Sequence, residues 1–402
     1  MLNIILFDSD ARNHLLPLTA TRPMGELRVG ILTLREKWER SLKGTASYIT
    51  QEYLQEKYPI RIEEENIIVN AGILPNEALC RRISELEPSE ALLLDGELVA
   101  ARLNETQFEH LIGDEEVHSL QGVELDKNIP VVQVKHLWEL TLLGKQAIAD
   151  DFALIAKGRK SHQISATNHI IGPTQNLFVE EGVRMECCTL NVHSGPIYIG
   201  KNVEIMEGAM LRGPVSIGEG SILKMGAKIY GPTTIGPHCR VGGEVTRSIL
   251  MGYTNKAHDG FLGDGVLGEW CNIGAGTNCS NLKNNYAEVR LWDYTTGKFE
   301  PTGQQFCGLF MADHSKCAIG TMFNTGTTIG VCCNIYGADF PRNFVPSFSW
   351  GGHSGFQTFR TEKAFETIES VMSRRSIDFS IQERLILLRV FEDTSEYRRW
   401  EK

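Results

Sequence analysis

Aliphatic residues recur every six positions through the centre of the chain. Ile199, Ile205, Leu211, Ile217, Leu223, Ile229, Ile235 and Val241 follow one another without a break. Gly200, Gly218 and Gly236 accompany them at eighteen-residue intervals. A period of six matches neither the 3.6 of a helix nor the 2 of a half-buried strand. It is the pattern of a hexapeptide-repeat solenoid, a parallel β-helix. Three hexads close one triangular coil, and each aliphatic points inward onto its counterpart one coil away. A single coil cannot bury these side chains alone, so the stability comes from stacking neighbours. After Val241 the repeat loosens, and it resumes with Leu267 and Ile273 six apart. The polar and aromatic stretch 279–307 then interrupts it, before repeat-like sequence returns at "AIGTMFNTGTTIGVCCNIYG". A long insertion in a solenoid projects from one face, often the binding face.

The flanks follow other periods. "NIILF" near the start predicts a buried strand. "GILTLREKWERSL" has helical spacing, with Ile31, Leu34 and Trp38 on one face. "NIIVNAGILPNEAL" predicts a strand and turn, and "EALLLDGELVAARL" a hairpin around Asp95-Gly96. "KHLWELTLLGKQAIADDFALIAKG" predicts a connecting helix or helix pair. The tail holds two helical patterns, the second opened by a capping box of Ser380 and Glu383. The expected division is an α/β domain over 1–134, a helical linker over 135–168, a β-helix over 169–348 and a helical tail over 349–402.

Charge and cysteine usage narrow the function classes. A net charge of -10 argues against a nucleic-acid partner, for which a basic stripe is expected. A few placed Arg and Lys still suffice for a phosphate pocket. Ten cysteines, with adjacent pairs at Cys187-Cys188 and Cys332-Cys333 and no CxxC spacing, predict reduced thiols and a cytoplasmic location. The apolar run at the N-terminus is short and lacks a basic start, so it reads as a first strand rather than a signal peptide. No apolar stretch reaches the length of a membrane span, and no membrane partner is expected.

Residues 255–281 read "NKAHDGFLGDGVLGEWCNIGAGTNCSN". His258, Leu262, Gly263 and Asp264, then Asn272 to Thr277, then Asn281, keep the spacing of H-x-x-Y-L-G-D and N-I-G-A-G-T-x-x-x-N. This segment closely resembles the acetyltransferase domain of bifunctional N-acetylglucosamine-1-phosphate uridyltransferase/glucosamine-1-phosphate acetyltransferases. Phe261 stands at the family tyrosine, so that hydroxyl is absent. The resemblance implies a left-handed β-helix, a homotrimer with active sites between protomers, and acetyl-CoA as co-substrate. It places His258 as the general base and Asn281, Asn272 and Phe261 at the sugar. Arg247 falls where the family has a lysine for the sugar phosphate, and Lys228 is a second phosphate candidate beside its reading as a surface charge.

The chemistry suits these types. Attack on a thioester needs an unprotonated amine, and an imidazole titrates in the right range to take its proton. Asparagine amides can hold sugar hydroxyls. Backbone N–H groups at a glycine-rich corner can stabilise the oxyanion. No acyl-enzyme is needed, so no cysteine need be a nucleophile. His258 also reads as a solvent-facing loop histidine, and Asn272 and Asn281 as turn residues. Asp313 and His314 enter the late coils, where this fold would hold coenzyme A, and an ordinary turn is an equal reading.

The opening stretch, "RNHLLPLTATRPMGELRVG", is similar to the first loop of sugar nucleotidyltransferases, G-x-G-T-R-L-x-P-L-T followed by T-R-P-K. Pro17-Leu18-Thr19 and Thr21-Arg22-Pro23 match. Arg12, Asn13 and His14 replace the glycines, and Met24 replaces the lysine. The resemblance implies a Rossmann-like nucleotidyltransferase domain upstream of the β-helix. Arg12, Arg22 and Arg28 are the candidate nucleotide ligands, because arginine is a competent phosphate partner. Asp95 is the candidate Mg2+ ligand after a strand, beside its reading as a hairpin turn.

The leading expectation is acetyl transfer to a sugar phosphate such as glucosamine 1-phosphate, with uridylyl transfer from UTP in the first domain. Other readings remain. One is a thymidylyltransferase that uses dTTP, with the β-helix as an oligomerising or regulatory part. Another is a trimerising scaffold. A zinc hydratase would need three gathered histidines, and His193, His238, His258 and His314 lack convincing ligand spacing.

Overall fold

The computed structural model describes residues 2–112 and 120–401, which form two compact units. The first contains the chain up to Leu15, Arg22–Leu27 and Leu32–His136. Its core is a six-stranded sheet in the order Gly44–Ile49, Leu2–Phe7, Glu65–Asn70, Glu97–Asn104, Glu90–Leu94 and Gln121–Glu124. Leu2–Phe7 pairs in parallel with both neighbours, and Ile4, Ile5 and Leu6 are fully buried. A strand covered on both faces needs such a continuous apolar run. The helix expected from the 31/34/38 spacing begins later, at Leu34, because Thr33 caps it. The Thr33 hydroxyl accepts from the Glu36 N–H, and the Glu36 carboxylate accepts from the Thr33 N–H. Trp38 is buried, and its indole N–H donates to the Ile73 carbonyl at 2.9 Å. Ile31 lies outside this helix, its N–H donating to Asp151 at 2.8 Å.

The hairpin around Asp95 is present. Asp95 and Gly96 both have positive φ, at 50° and 82°, the geometry of a type I′ turn.

The second unit contains Leu16–Thr21, Arg28–Ile31 and everything from Leu137 on. Two helices, Glu139–Leu142 and Gly144–Ala156, lead into a parallel β-solenoid of about ten turns. Its strands form three sheets, one per face of the triangular coil. The first face carries Ile199, Ile217 and Ile235 in register, the second Ile205, Leu223 and Val241, and the third Leu190, Leu211 and Ile229. All are buried in one continuous core.

The region where the repeat loosens is still solenoid. Ile235 pairs with Leu250, fifteen residues on, and Leu250 with Leu267, seventeen on. These coils are shorter at their corners, and an eighteen-residue period misses them. Leu250, Lys256 and Leu262 are themselves six apart. Lys256 takes the inward place beside Val241, where every earlier coil has an apolar residue. A lysine in an aliphatic column hides the repeat from hydropathy alone.

Corners are tight where coils meet. A Cβ on Gly236 would lie 1.8 Å from the Met251 carbonyl oxygen of the next coil, so only glycine fits. The insertion folds as a hairpin, Arg290–Asp293 against Lys298–Pro301. The tail holds the two expected helices, Thr361–Ser373 and Ile381–Asp393, the second with its Ser380–Glu383 capping box.

Candidate functional site

The residues of the acetyltransferase-like segment gather around the third face of the solenoid. Phe261 lies on the outer side of this face, in one column with Lys228 and Glu244. Rungs are about 4.8 Å apart, so Lys228 sits about 10 Å from Phe261. Lys228 is exposed and Phe261 half-buried. The Phe261 N–H donates to the Asn278 side chain at 3.0 Å, which ties the two outer positions together.

His258 stands at the corner that leads from the second face onto the third. Its ring is exposed, and it makes no side-chain hydrogen bond among the described residues. Its carbonyl accepts from the Lys256 Nζ at 2.7 Å. Lys256 is 2 % exposed, and burial lowers its pKa below the usual lysine value. A buried ammonium loses its hydration and needs acceptors. The His258 carbonyl is one, so the corner and the core are joined at the residue that carries the imidazole.

The opposite corner of the same face holds a charged triad. Arg247 grips Asp264 with two charge-assisted hydrogen bonds, Nε–H to Oδ1 at 2.6 Å and Nη2 to Oδ2 at 2.8 Å. The Asp264 hydrogen bond and charge raise the Arg247 pKa, so the guanidinium stays charged. Asn281 donates to the same carboxylate at 2.6 Å. Arg247 also lies over the Phe306 ring at 4.8 Å. The Arg247 side chain keeps 37 % exposure, which leaves donors open to an anion. Gly263 lies between Phe261 and Asn281. A Cβ there would meet the Phe261 ring and the Asn281 amide, both at 2.6 Å.

One chain therefore brings His258, Phe261, Arg247, Asn281 and, two rungs away, Lys228 to one face. Asn272 is not among them. It is exposed on the second face, in register with Asn255 and Lys316. Asp313 is spent on structure. It is 4 % exposed, accepting from the Glu269 N–H at 2.7 Å and the Thr21 hydroxyl at 2.5 Å. Asp264 was visible in the L-G-D match, but its grip on both Arg247 and Asn281 follows only from the stacking of coils. Lys256 was concealed by its charge.

In the first unit the candidate phosphate ligands lie in the interior. Residues 11–14 form a short helix where the family has a glycine-rich loop. Arg12 is 5 % exposed, donates to the Tyr53 hydroxyl at 2.9 Å and lies 3.3 Å from the Asp8 carboxylate. Asp8 also accepts from the Met24 N–H and the Thr50 hydroxyl. Burial outweighs these partners and raises its pKa. Arg22 is buried, and Met24 is fully buried. Arg28, in the second unit, is half-buried and donates to the Ile31 carbonyl. Asp95 is exposed at its hairpin tip.

No helix among the described residues is long and apolar enough to cross a membrane. Residues 4–160 match the family model described as sugar nucleotidyl transferase. Residues 196–231 match the bacterial transferase hexapeptide repeat, which goes with the left-handed β-helix expected from the sequence. The chain is 32% identical over 93 residues to a bifunctional sugar-1-phosphate nucleotidylyltransferase/acetyltransferase of Sulfurisphaera tokodaii, covering 23% of each chain. It is 32% identical over 92 residues to the bifunctional protein GlmU of Methanocaldococcus jannaschii, covering 23% of this chain and 22% of that one. The matches thus span less than a quarter of either relative's length. Among solved structures, an Arabidopsis UDP-N-acetylglucosamine acyltransferase overlaps 53% of this chain and 80% of its own, at 15% identity and a TM-score of 0.32. A likeness that low carries no argument about substrate.

Proposed function

We propose that the solenoid acetylates the amine of a sugar phosphate, with glucosamine 1-phosphate as the substrate, and that the first unit joins a sugar 1-phosphate to a nucleoside triphosphate. The observation that carries the first half is the third face, where an open imidazole stands at one corner and an anchored guanidinium at the other. The phosphate binds Arg247, with Lys228 as the outlying cation. Asn281 and Phe261 hold the ring between the corners. The amine nitrogen attacks the thioester carbonyl of acetyl-CoA, and His258 takes its proton. The new C–N bond forms as the C–S bond breaks, and the coenzyme leaves as a thiol once it regains a proton.

Asn272 enters this reading through a second copy. It is exposed on the adjoining face, and a homotrimer would set that face against the third face of a neighbour. The expected location of such chemistry is the cytoplasm, where acetyl-CoA and nucleotides are made.

The second half rests on the family match over residues 4–160. Uridylyl transfer is the leading reaction, with thymidylyl transfer from dTTP as the second reading. Asp95 offers one exposed carboxylate, and Mg2+ takes one or two carboxylates together with substrate phosphates. Bound there, the ion would neutralise charge on the transferring phosphate. Because Arg12 and Arg22 are buried and Met24 replaces a lysine, this activity should be weak.

The test is to incubate the purified protein with glucosamine 1-phosphate, acetyl-CoA, UTP or dTTP, and magnesium, following free thiol and pyrophosphate separately. Free thiol that appears only with the sugar phosphate supports acetyl transfer. Its absence with every amino-sugar phosphate tried sinks that half. Pyrophosphate release decides the other half by itself. A monomer at micromolar concentration by light scattering would remove the shared site.

A further inference from the structure

The late coils border an open cavity of about 1060 Å³ whose residues have no part in the third-face site. Its walls come from the insertion hairpin, the final coils and the C-terminal turns after Ser395. Ligand pockets commonly run to about 1,000 Å³, so this one admits a ligand of nucleotide size.

Two features of the lining stand out. The first is charge. Lys283, Arg290, Arg342 and Arg399 all reach it, and no Asp or Glu lines it. None of the four pairs with a carboxylate among the described residues. Lys283 and Arg290 donate only to backbone carbonyls, those of Glu288 and Phe299. Most other arginines of this acidic chain find a carboxylate, as Arg35, Arg82, Arg159 and Arg247 do. Four unneutralised cations around one hollow create a positive potential that an anion would relieve.

The second feature is the aromatic wall. Trp292 stacks on Phe344 at 4.1 Å with an interplanar angle of 9°, and Phe299 and Tyr397 meet them edge-on. Phe356 and Trp400 stack at 5.9 Å on the same cavity. Flat apolar faces beside cations suit a ligand with a planar ring and a phosphate. A bare sugar phosphate would ask for more hydroxyl and amide groups than Thr325, Asn343 and Ser354 supply.

We propose that this cavity binds a nucleoside phosphate, its base stacked on the aromatic wall and its phosphates held by Arg342, Arg399 and the neighbouring cations. The site is separate from the third face and stands whether or not the acetyl-transfer reading does. The chemistry is shared by free nucleoside triphosphates and by the nucleotide end of coenzyme A.

Calorimetric titration of the full chain with UTP, ATP, coenzyme A and inorganic pyrophosphate tests this. UTP or ATP should bind saturably, and pyrophosphate should bind at least about tenfold more weakly. The Arg342→Ala/Arg399→Ala variant should lose on the order of tenfold in that affinity. Both arginines are exposed, so its circular dichroism should match wild type. Trp400→Leu should weaken nucleoside phosphates and leave pyrophosphate unchanged. Binding of UTP or ATP supports a free-nucleotide site, whereas binding of coenzyme A alone would make the cavity the co-substrate's own and overturn the proposal. Pyrophosphate binding as tightly as every nucleoside phosphate, full affinity in the double arginine variant, or no saturable binding would each overturn the proposal.

Discussion

Residues 8–28 and residues 247–281 carry the two halves of one sequence likeness, yet their charged groups end in opposite surroundings. Around the first stretch, Arg12 and Arg22 are buried and Met24 is fully enclosed. Arg12 is already held by Asp8 and Tyr53. Around the second, His258 is open, and Arg247 is anchored on one side while exposed on the other. Both arginines pair with a buried carboxylate, but the Arg12 side chain is itself only 6 % exposed and must be uncovered before it meets a phosphate. A cation gripped from behind by a carboxylate is pre-oriented and loses little on binding. Matching letters therefore mean different things in the two places.

The largest effect is expected of His258→Ala. It should lower acetyl transfer by roughly a hundredfold to ten-thousandfold, the usual range for a general base. Pyrophosphate release should not change. Near-normal acetylation across pH would remove His258 from the reaction and leave the two stretches alike.

Met24→Lys restores the family's residue type in the first stretch. If the loop had kept an open site, turnover would rise. The burial of Met24 instead predicts a loss of about 2–3 kcal/mol in folding stability, because an ammonium is placed in a closed core. Urea unfolding reads the loss. Unchanged stability with faster pyrophosphate release would show that the loop opens readily.

Asp264→Ala removes the carboxylate behind Arg247 and Asn281. The expected result is roughly a tenfold rise in KM for the sugar phosphate, the scale of a lost charge-assisted contact. KM for acetyl-CoA should stay near wild type. If both constants rise together, the triad is only a brace for the corner.

The smallest effect belongs to Lys256→Met. Replacing a buried charge by an apolar chain of similar length is often close to neutral for stability. Acetyl-transfer kcat should fall only severalfold, because the His258 carbonyl loses its donor. The pH dependence has a definite sign. The lysine pKa is lowered in the folded protein, so between that value and the ordinary 10.5 the unfolded chain binds more protons. Wild type should therefore gain stability relative to the variant as pH rises through this window. Parallel stability curves for the two proteins would show that burial does not tax the ammonium.

The hexads, the α/β start, the Asp95-Gly96 hairpin and the Ser380 capping box were legible because each depends on residues close in sequence. Hydrophobic period and turn chemistry specify such elements locally. The 250/256/262 coil was less legible, since Lys256 breaks the apolar pattern while keeping its spacing. The His258 segment was readable as a motif, with its members in correct order. Local residue patterns thus specify a stacked solenoid after an α/β unit, and where the reactive types cluster. Which groups are available to a ligand was decided only by tertiary structure. Burial of Arg12 and Met24, the Asp264 grip on residues seventeen positions away on either side, and a cavity drawn from residues 283–400 all depend on contacts between distant segments. Solvation and charge pairing follow spatial neighbours, and a one-dimensional pattern does not record them.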